Sequence, residues 1–306
     1  MSINRRRVLI GAGAAGLGMV VGAKVLSDIL KHRSIAAVPT IPTPTSKLLK
    51  RFAVIGDTGS GDRNQYGVAQ ALVRYHDRTP FDTVLMVGDN IYNNGEFSKI
   101  GEVFVIPYQE LLKRGVKFYA SLGNHDVRSE NGDREVAYPQ FNMQGKRYYT
   151  HGQGDVSFFV LETNALIDRN APDRTVQLEW LDRELTASKA KWKIVYGHHN
   201  IYSDGRYGVN EVMKADVTPI LKKHKIKLWI NGHDHNYQRL KPIDGTTYLV
   251  CGGGGASLYK IQTNNWQEFA ESVHSFGIVE VYQDQIILTG INSDSKIVDR
   301  GLIKFA

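Results

Sequence analysis

Apolar residues in this chain come in short unbroken runs that stop at a glycine. The runs at 52–55 (Phe-Ala-Val-Ile), 84–87 (Val-Leu-Met-Val) and 228–230 (Leu-Trp-Ile) have the length and composition of strands buried on both faces. Between them the spacing changes to that of helices. Val68, Ala71, Leu72 and Tyr75 fall on one helical face, as do Leu178, Leu181 and Leu185 ahead of a further strand at 193–196. Later the character shifts, and strand-like stretches at 247–251, 277–282, 285–288 and 301–305 succeed one another with little helix between them. An α/β half and then a strand-rich half predict two sheets packed face to face with helices outside.

The residues just past these runs are as regular as the runs themselves. Five times the glycine is succeeded at once by Asp, Asn or His: Gly56-Asp57, Gly88-Asp89, Gly123-Asn124-His125-Asp126, Gly197-His198-His199 and Gly232-His233-Asp234-His235. In an α/β sheet ligands bind at the loops past the carboxyl ends of strands, so groups distant in sequence converge there. Every block carries a metal-ligating side chain, and together they predict one metal site. Taken singly the blocks say less, since Gly-Asp is commonly a turn and Asn124 alone would be a cap or turn residue. His233 and His235, read as alternating on an extended segment, would point the same way. His199 reads as a packing neighbour of the ligand position, and His32, His76, His151, His224 and His274 as surface or core residues. The run Gly252 to Gly255 lacks the Lys-Ser or Lys-Thr that ends a P-loop and reads as a tight structural loop near the metals.

Composition narrows the picture further. A chain of 306 residues, 42% of them hydrophobic, can bury a full core. The formal charge is +7, but residues 1–37 hold six basic side chains against Asp28 alone, which leaves +2 for the rest. No nucleic-acid surface is indicated for the body. Cys251 is the single cysteine, which excludes an internal disulfide framework and suits a small buried apolar group.

Residues 1–37 are a segment apart. Asn4-Arg5-Arg6-Arg7-Val8-Leu9 leads into an apolar, glycine-rich stretch and resembles a twin-arginine export signal, or a membrane anchor using the same residues. Gly11-x-Gly13-x-x-Gly16 spells the dinucleotide fingerprint, but prolines stand where a second strand is required and Asp28 comes too early for the ribose acid. Residues 38–47, with Pro39, Pro42 and Pro44 among threonines, read as a linker. The folded domain is expected at 48–306.

The ordered blocks Asp57-x-Gly59, Gly88-Asp89-x-x-Tyr92, Gly123-Asn124-His125-Asp126, Val195-x-x-His198 and Gly232-His233-x-His235 resemble those of the purple acid phosphatases. These belong to the calcineurin-like metallophosphoesterases, and the likeness is to their small, tartrate-resistant type. The similarity runs from about Arg51 to Gln238 and implies a four-layer α/β/β/α sandwich of two packed mixed sheets. It also implies a dinuclear metal centre. Asp57, Tyr92 and His235 would hold the first metal, Asp89 would bridge, and Asn124, His198 and His233 would hold the second. Carboxylate and phenolate are hard oxygen donors suited to Fe(III) at the first position, whereas amide and imidazole suit Fe(II), Zn or Mn at the second.

The activity this implies is hydrolysis of a phosphate ester by a metal-bound hydroxide. His125 would be the catalytic and substrate-binding side chain that steadies the phosphoryl oxygens or protonates the leaving group. One position departs from the family pattern, because Tyr207 stands where a second substrate-side histidine is usual. Tyr207 donates a hydrogen bond but carries no positive charge, and Arg206 beside it is the candidate replacement. Asn200 also replaces a usual proline. Phosphate monoesters hydrolysed in an exported compartment are the expected chemistry, with the twin-arginine machinery as partner. Phosphodiester or nucleotide hydrolysis on the same centre, and a non-catalytic metal- or phosphate-binding protein, are the alternatives.

Overall fold

The computed structural model describes residues 38–262 and 266–305. The export signal or anchor read at 1–37 lies outside the described residues. Residues 38–47 hold no helix or strand, and Lys47 is tied into the fold where its carbonyl accepts from Gln283 N–H (3.0 Å).

In chain order the strands are β1 (Leu48–Ile55), β2 (Thr83–Val87), β3 (Lys117–Ser121), β4 (Tyr149–Gln153), β5 (Val156–Val160), β6 (Trp192–Tyr196) and β7 (Leu228–Asn231). They continue with β8 (Tyr237–Leu240), β9 (Thr247–Cys251), β10 (Gln267–Glu271), β11 (Ser275–Tyr282), β12 (Gln285–Asn292) and β13 (Ile297–Lys304). One sheet has the order β13-β12-β11-β1-β2-β3 and the other β10-β8-β9-β7-β6-β5-β4. Both are mixed. Val54 of β1 lies beside Leu85 of a parallel neighbour and Gly277 of an antiparallel one. In the second sheet β5, β6, β7 and β9 run parallel, while β4 and β8 pair antiparallel with β5 and β9.

Strand periodicity sorts the core into layers. Phe158, Val160, Ile194, Tyr196, Leu228 and Ile230 turn one face of the second sheet toward the first, where Phe158 meets Phe52 edge-on at 5.0 Å. Three long helices, α1 (Arg63–Arg78), α2 (Arg174–Ala187) and α3 (Glu211–Lys223), cover the outer faces. The alternate residues Phe159, Val195, Trp229 and Tyr248 of the second sheet pack on α2 and α3 through Leu181, Leu185, Met213, Val217 and Leu221. Helix α1 covers the other sheet, with Tyr75 against Phe276. The layers are thus α/β/β/α, as the pattern predicts. Each fully buried aromatic side chain contributes roughly 1.5–3 kcal/mol of burial, so rings such as Trp229 and Phe158 bind the layers together.

The helix starts obey capping chemistry. Asp62 accepts from Asn64 N–H and Gln65 N–H at the head of α1, and Asn210 accepts from Met213 N–H at the head of α3. Strands β4, β5, β8 and β10 add to those the apolar runs predict. Strand β8 is polar in sequence yet buried, because Arg239 finds Asp299 at 2.8 and 2.9 Å and Gln238 finds Ser203 and Asn236. No helix among the described residues is long and apolar enough to cross a membrane.

Candidate metal centre

The loops that leave β1, β2, β3, β6 and β7 open onto one another, and each carries a polar side chain into the opening. Asp57, Asp89, Asn124, His198 and His233 come from these five loops, Tyr92 from the continuation of the second and His235 from that of the fifth. Side-chain donors of Asp57, Asp89 and His198 all lie within 4.8 Å of one another. The Tyr92 hydroxyl donates to Asp89 Oδ2 (2.8 Å) and lies 3.2 Å from Asp57 Oδ1 and 3.0 Å from His235 Nε2. On the other side His198 Nε2 lies 3.1 Å from Asn124 Oδ1, 3.1 Å from His233 Nδ1 and 3.4 Å from Asp89 Oδ1. All seven side chains predicted as ligands therefore meet, in two groups that share Asp89.

Glycine precedes each of the five loop donors, and at two positions the reason is space. A Cβ on Gly123 would collide with the Asp89 carboxylate, and one on Gly232 with that of Asp57, so each of these glycines makes room for a donor from another loop. The donors themselves carry backbone strain. Asp57, Asp89 and His233 have φ of 57°, 52° and 65°, a left-handed conformation that costs non-glycine residues about 1 kcal/mol or more each. Hydrogen bonds hold them there: Asp57 N–H donates to Gly88 O (2.9 Å), and His233 N–H to Asp57 Oδ2 (2.9 Å). The left-handed turn corrects the expectation for His233 and His235. The segment is not extended, and the two imidazoles serve opposite halves of the cluster.

These surroundings fit cations. Asp57 and Asp89 are buried, and among the described residues no Lys or Arg side chain bonds to either. Burial raises the pKa of Asp57 even with His235 beside it. Burial, then Asp57 and Asp89, push the Tyr92 phenol well above its ordinary value, so only a strong positive charge between these groups would ionise it. His233 is held neutral by burial and by the histidines around it, the state in which imidazole binds metal. The remaining ring nitrogens are also occupied: His198 Nδ1 faces Val87 O (3.0 Å) and His235 Nδ1 faces Ser257 O (2.7 Å), which sets the tautomers that leave Nε2 for a metal.

At the rim, His125 N–H donates to Asp89 Oδ1 (2.9 Å), while its Nδ1 faces Asn93 O (2.6 Å). That leaves Nε2 toward the cluster, 3.9 Å from Asp89 Oδ2 and 3.3 Å from an Arg128 Nη2 donor. Tyr207 stacks on His233 at 4.0 Å and 19°, and Arg206 lies over the ring of Tyr259 at 4.8 Å. A groove of about 490 Å³ runs beside this rim, lined by Tyr92, Lys99, His125, His235, Ser257 and Tyr259 among others.

Residues 50–237 match the calcineurin-like phosphoesterase family. The chain belongs to that family. Purple acid phosphatase 7 of Arabidopsis thaliana is 30% identical over 227 residues, covering 66% of this chain and 69% of that protein. Tartrate-resistant acid phosphatase type 5 of Sus scrofa is 25% identical over 299 residues, covering 84% and 86%. Among solved structures, GAP50, the anchor in the inner membrane complex of Plasmodium, superposes with a TM-score of 0.76 at 20% identity, over 84% of this chain and 89% of that one. The last likeness is one of fold. The chain is a purple acid phosphatase-type member of the calcineurin-like phosphoesterases, a metal-dependent phosphoric ester hydrolase.

In this phosphoesterase the loop that departs from the family pattern is well anchored. Asn200 donates through Nδ2 to Gly208 O (2.6 Å), closing the loop from within where the usual residue is proline. Asp234, between His233 and His235, accepts from Ser203 Oγ (2.5 Å), Arg206 N–H (2.9 Å) and Tyr207 N–H (3.2 Å). Several supporting residues escaped the sequence reading. Thr163 Oγ1 accepts from the backbone N–H groups of His198 (3.3 Å) and His199 (3.0 Å) and pairs with His199 Nδ1 (2.8 Å). Asp126 accepts from Asn90, Ile91 and Gly123 N–H, tying the Asp89 loop to the Asn124 loop. Burial and Asp89 raise the Asp126 carboxyl to about 7, and burial and Asp126 raise that of Glu135, its partner. Arg128, Thr163 and Tyr259 carry no local motif, so only their place in space marks them. Gly254 N–H donates to Gly56 O (3.0 Å) and Gly252 N–H to Asn236 O (3.0 Å), making the glycine run the structural loop expected.

Proposed function

We propose that this phosphoesterase hydrolyses phosphate monoesters outside the cytoplasmic membrane, on a centre of one trivalent iron and one divalent ion. The observation that carries the reading is the unequal division of donors around Asp89. Asp57, Tyr92 and His235 gather the anionic oxygens on one side, while Asn124, His198 and His233 offer neutral donors on the other. The first set suits Fe(III), and the second suits Fe(II), Zn or Mn. Two bound cations activate water and offset the charge that develops on phosphorus.

The protein's own groups account for the rest. His125 is held by its backbone N–H and by Nδ1, so that Nε2 faces the space above the donors, where it can bond a phosphoryl oxygen or give a proton to the leaving group. Arg128 adds positive charge next to it. Positive charge at the rim favours the dianion of a monoester over a singly charged diester. Fold similarity alone leaves activity open, but a protein that only bound phosphate would not need a complete set of seven donors.

The test is a leaving-group series on purified, metal-replete protein. Aryl monoesters are expected to turn over faster than the matching diesters. His125→Ala should keep both metals and lose about 10²-fold or more in kcat for basic leaving groups, with a smaller loss for acidic ones. An equal loss across the series would remove His125 from the acid role.

Export rests on Arg5, Arg6 and Arg7 leading into an apolar segment. The twin-arginine route carries folded proteins, so metals would be loaded before export. Replacing all three arginines with lysine is expected to leave active, metal-loaded protein in the cytoplasm. Unchanged delivery to the outside would refute this route.

A further inference from the structure

We propose that Arg206 reads a second anionic group on the leaving group, so that the preferred esters carry a carboxylate or a further phosphoryl group beyond the one attacked. This rests on the hydrolase reading above and narrows its substrate class. Among the described residues the Arg206 guanidinium makes no hydrogen bond and no ion pair, although its backbone N–H is bonded to Asp234. No described residue takes up any of its five donors.

The side chain is nonetheless held. The ring of Tyr259 lies under the guanidinium at 4.8 Å, and that of Tyr207 lies 5.7 Å away. Below, the Asp234 carboxylate grips the loop at Ser203, Arg206 and Tyr207, and Gln262 N–H donates across to Asp204 O (2.6 Å). A guanidinium stacked by its face and free at its edge presents the planar fork that matches a carboxylate or phosphoryl group.

Its position assigns it to the leaving group. The imidazole of His235 stacks on Tyr259 at 4.0 Å and 11° and fills one face of that ring, so the guanidinium lies over the other face. Tyr259 is thereby interposed, and Arg206 sits two stacking distances from an imidazole that points at the metal donors. A phosphoryl group held at those donors is within reach of His125. The partner of Arg206 lies farther out, along whatever the phosphoryl group is attached to.

The experiment compares two ligands that cannot be hydrolysed, phenylphosphonate and 4-carboxyphenylphosphonate, titrated calorimetrically into metal-loaded protein. The wild type is expected to bind the carboxylated compound about tenfold more tightly, the scale of one charge-assisted contact. Arg206→Gln should bring the two affinities to within about twofold, Arg206→Lys should restore part of the preference, and Tyr259→Leu should lose it with the platform. Equal affinities in the wild type would overturn the proposal. So would an equal weakening of both ligands by Arg206→Gln, which would place the guanidinium on the phosphonate itself. Turnover of the matching phosphate esters is scored separately. Discrimination without turnover would keep Arg206 and refute the monoester-hydrolysis proposal, and turnover without discrimination would do the reverse.

Discussion

Asp89→Asn is expected to cost this protein one of its two metal ions and at least about 10³-fold in phosphate ester turnover. Asp89 is the point where the donor groups join. One of its oxygens accepts from the Tyr92 hydroxyl at 2.8 Å, and the other lies 3.4 Å from His198 Nε2 while accepting from His125 N–H at 2.9 Å. The amide keeps the size of the side chain and removes the shared negative charge. It also turns one acceptor into a donor, facing either the His125 N–H or the Tyr92 hydroxyl. Loss should therefore exceed that of removing a donor at the edge, such as Asn124. Metal analysis alongside steady-state kinetics decides the matter. Two ions per chain with turnover within about tenfold of wild type would show that Asp89 is not the bridge.

With Fe(III) in the centre as proposed, the oxidised wild type is expected to show a visible absorption band that Tyr92→Phe abolishes. The phenol sits among two carboxylates and an imidazole, and burial together with Asp57 and Asp89 holds its proton far more tightly than water would. It can ionise there only against a multivalent cation, and a phenolate bound to Fe(III) is coloured. Filling the centre with zinc alone should leave the protein colourless with the tyrosine in place. The phenylalanine variant, still holding the remaining donors, should be colourless with iron and turn over about 10²-fold more slowly. A wild-type protein with iron and a second metal but no such band would show that Tyr92 does not reach the metal. The reading would then move to a zinc or manganese phosphodiesterase.

Much of the centre is legible in the unfolded chain. Asp57, Asp89, Asn124, His198 and His233 each come directly after a glycine at the end of an apolar run, and such runs suit strands inside a two-layer core. At Gly123 and Gly232 glycine is required because another donor occupies the space of the missing side chain. The metal-binding chemistry and the breaks between elements thus lie in neighbouring residues. The same holds for the helical face of α1, where period places Val68, Ala71 and Leu72 in the core. It holds in part for α2, where period places Leu181 and Leu185 there but not Gln177, which is buried through its bonds to the Glu162 backbone.

Other features depend on contacts that no local pattern encodes. His233 and His235 look like alternate residues of a strand, yet His233 adopts a left-handed backbone because its N–H is claimed by Asp57, far away in the chain. Strand β8 is polar by composition and is buried only because Asp299 and the Ser203 loop supply partners. Arg206 and Tyr207 are legible as a departure from a familiar phrase, but their placement is not. Asp234 aims that loop and Tyr259 carries the guanidinium, and both depend on segments brought together by the second sheet. The sequence by itself determined that Asp57, Asp89, Asn124, His198 and His233 would gather past strand ends, because hydrophobic period and glycine breaks are local properties. Tertiary structure decided how they face one another, because orientation depends on hydrogen bonds and ring contacts between residues that meet only after the sheets have packed.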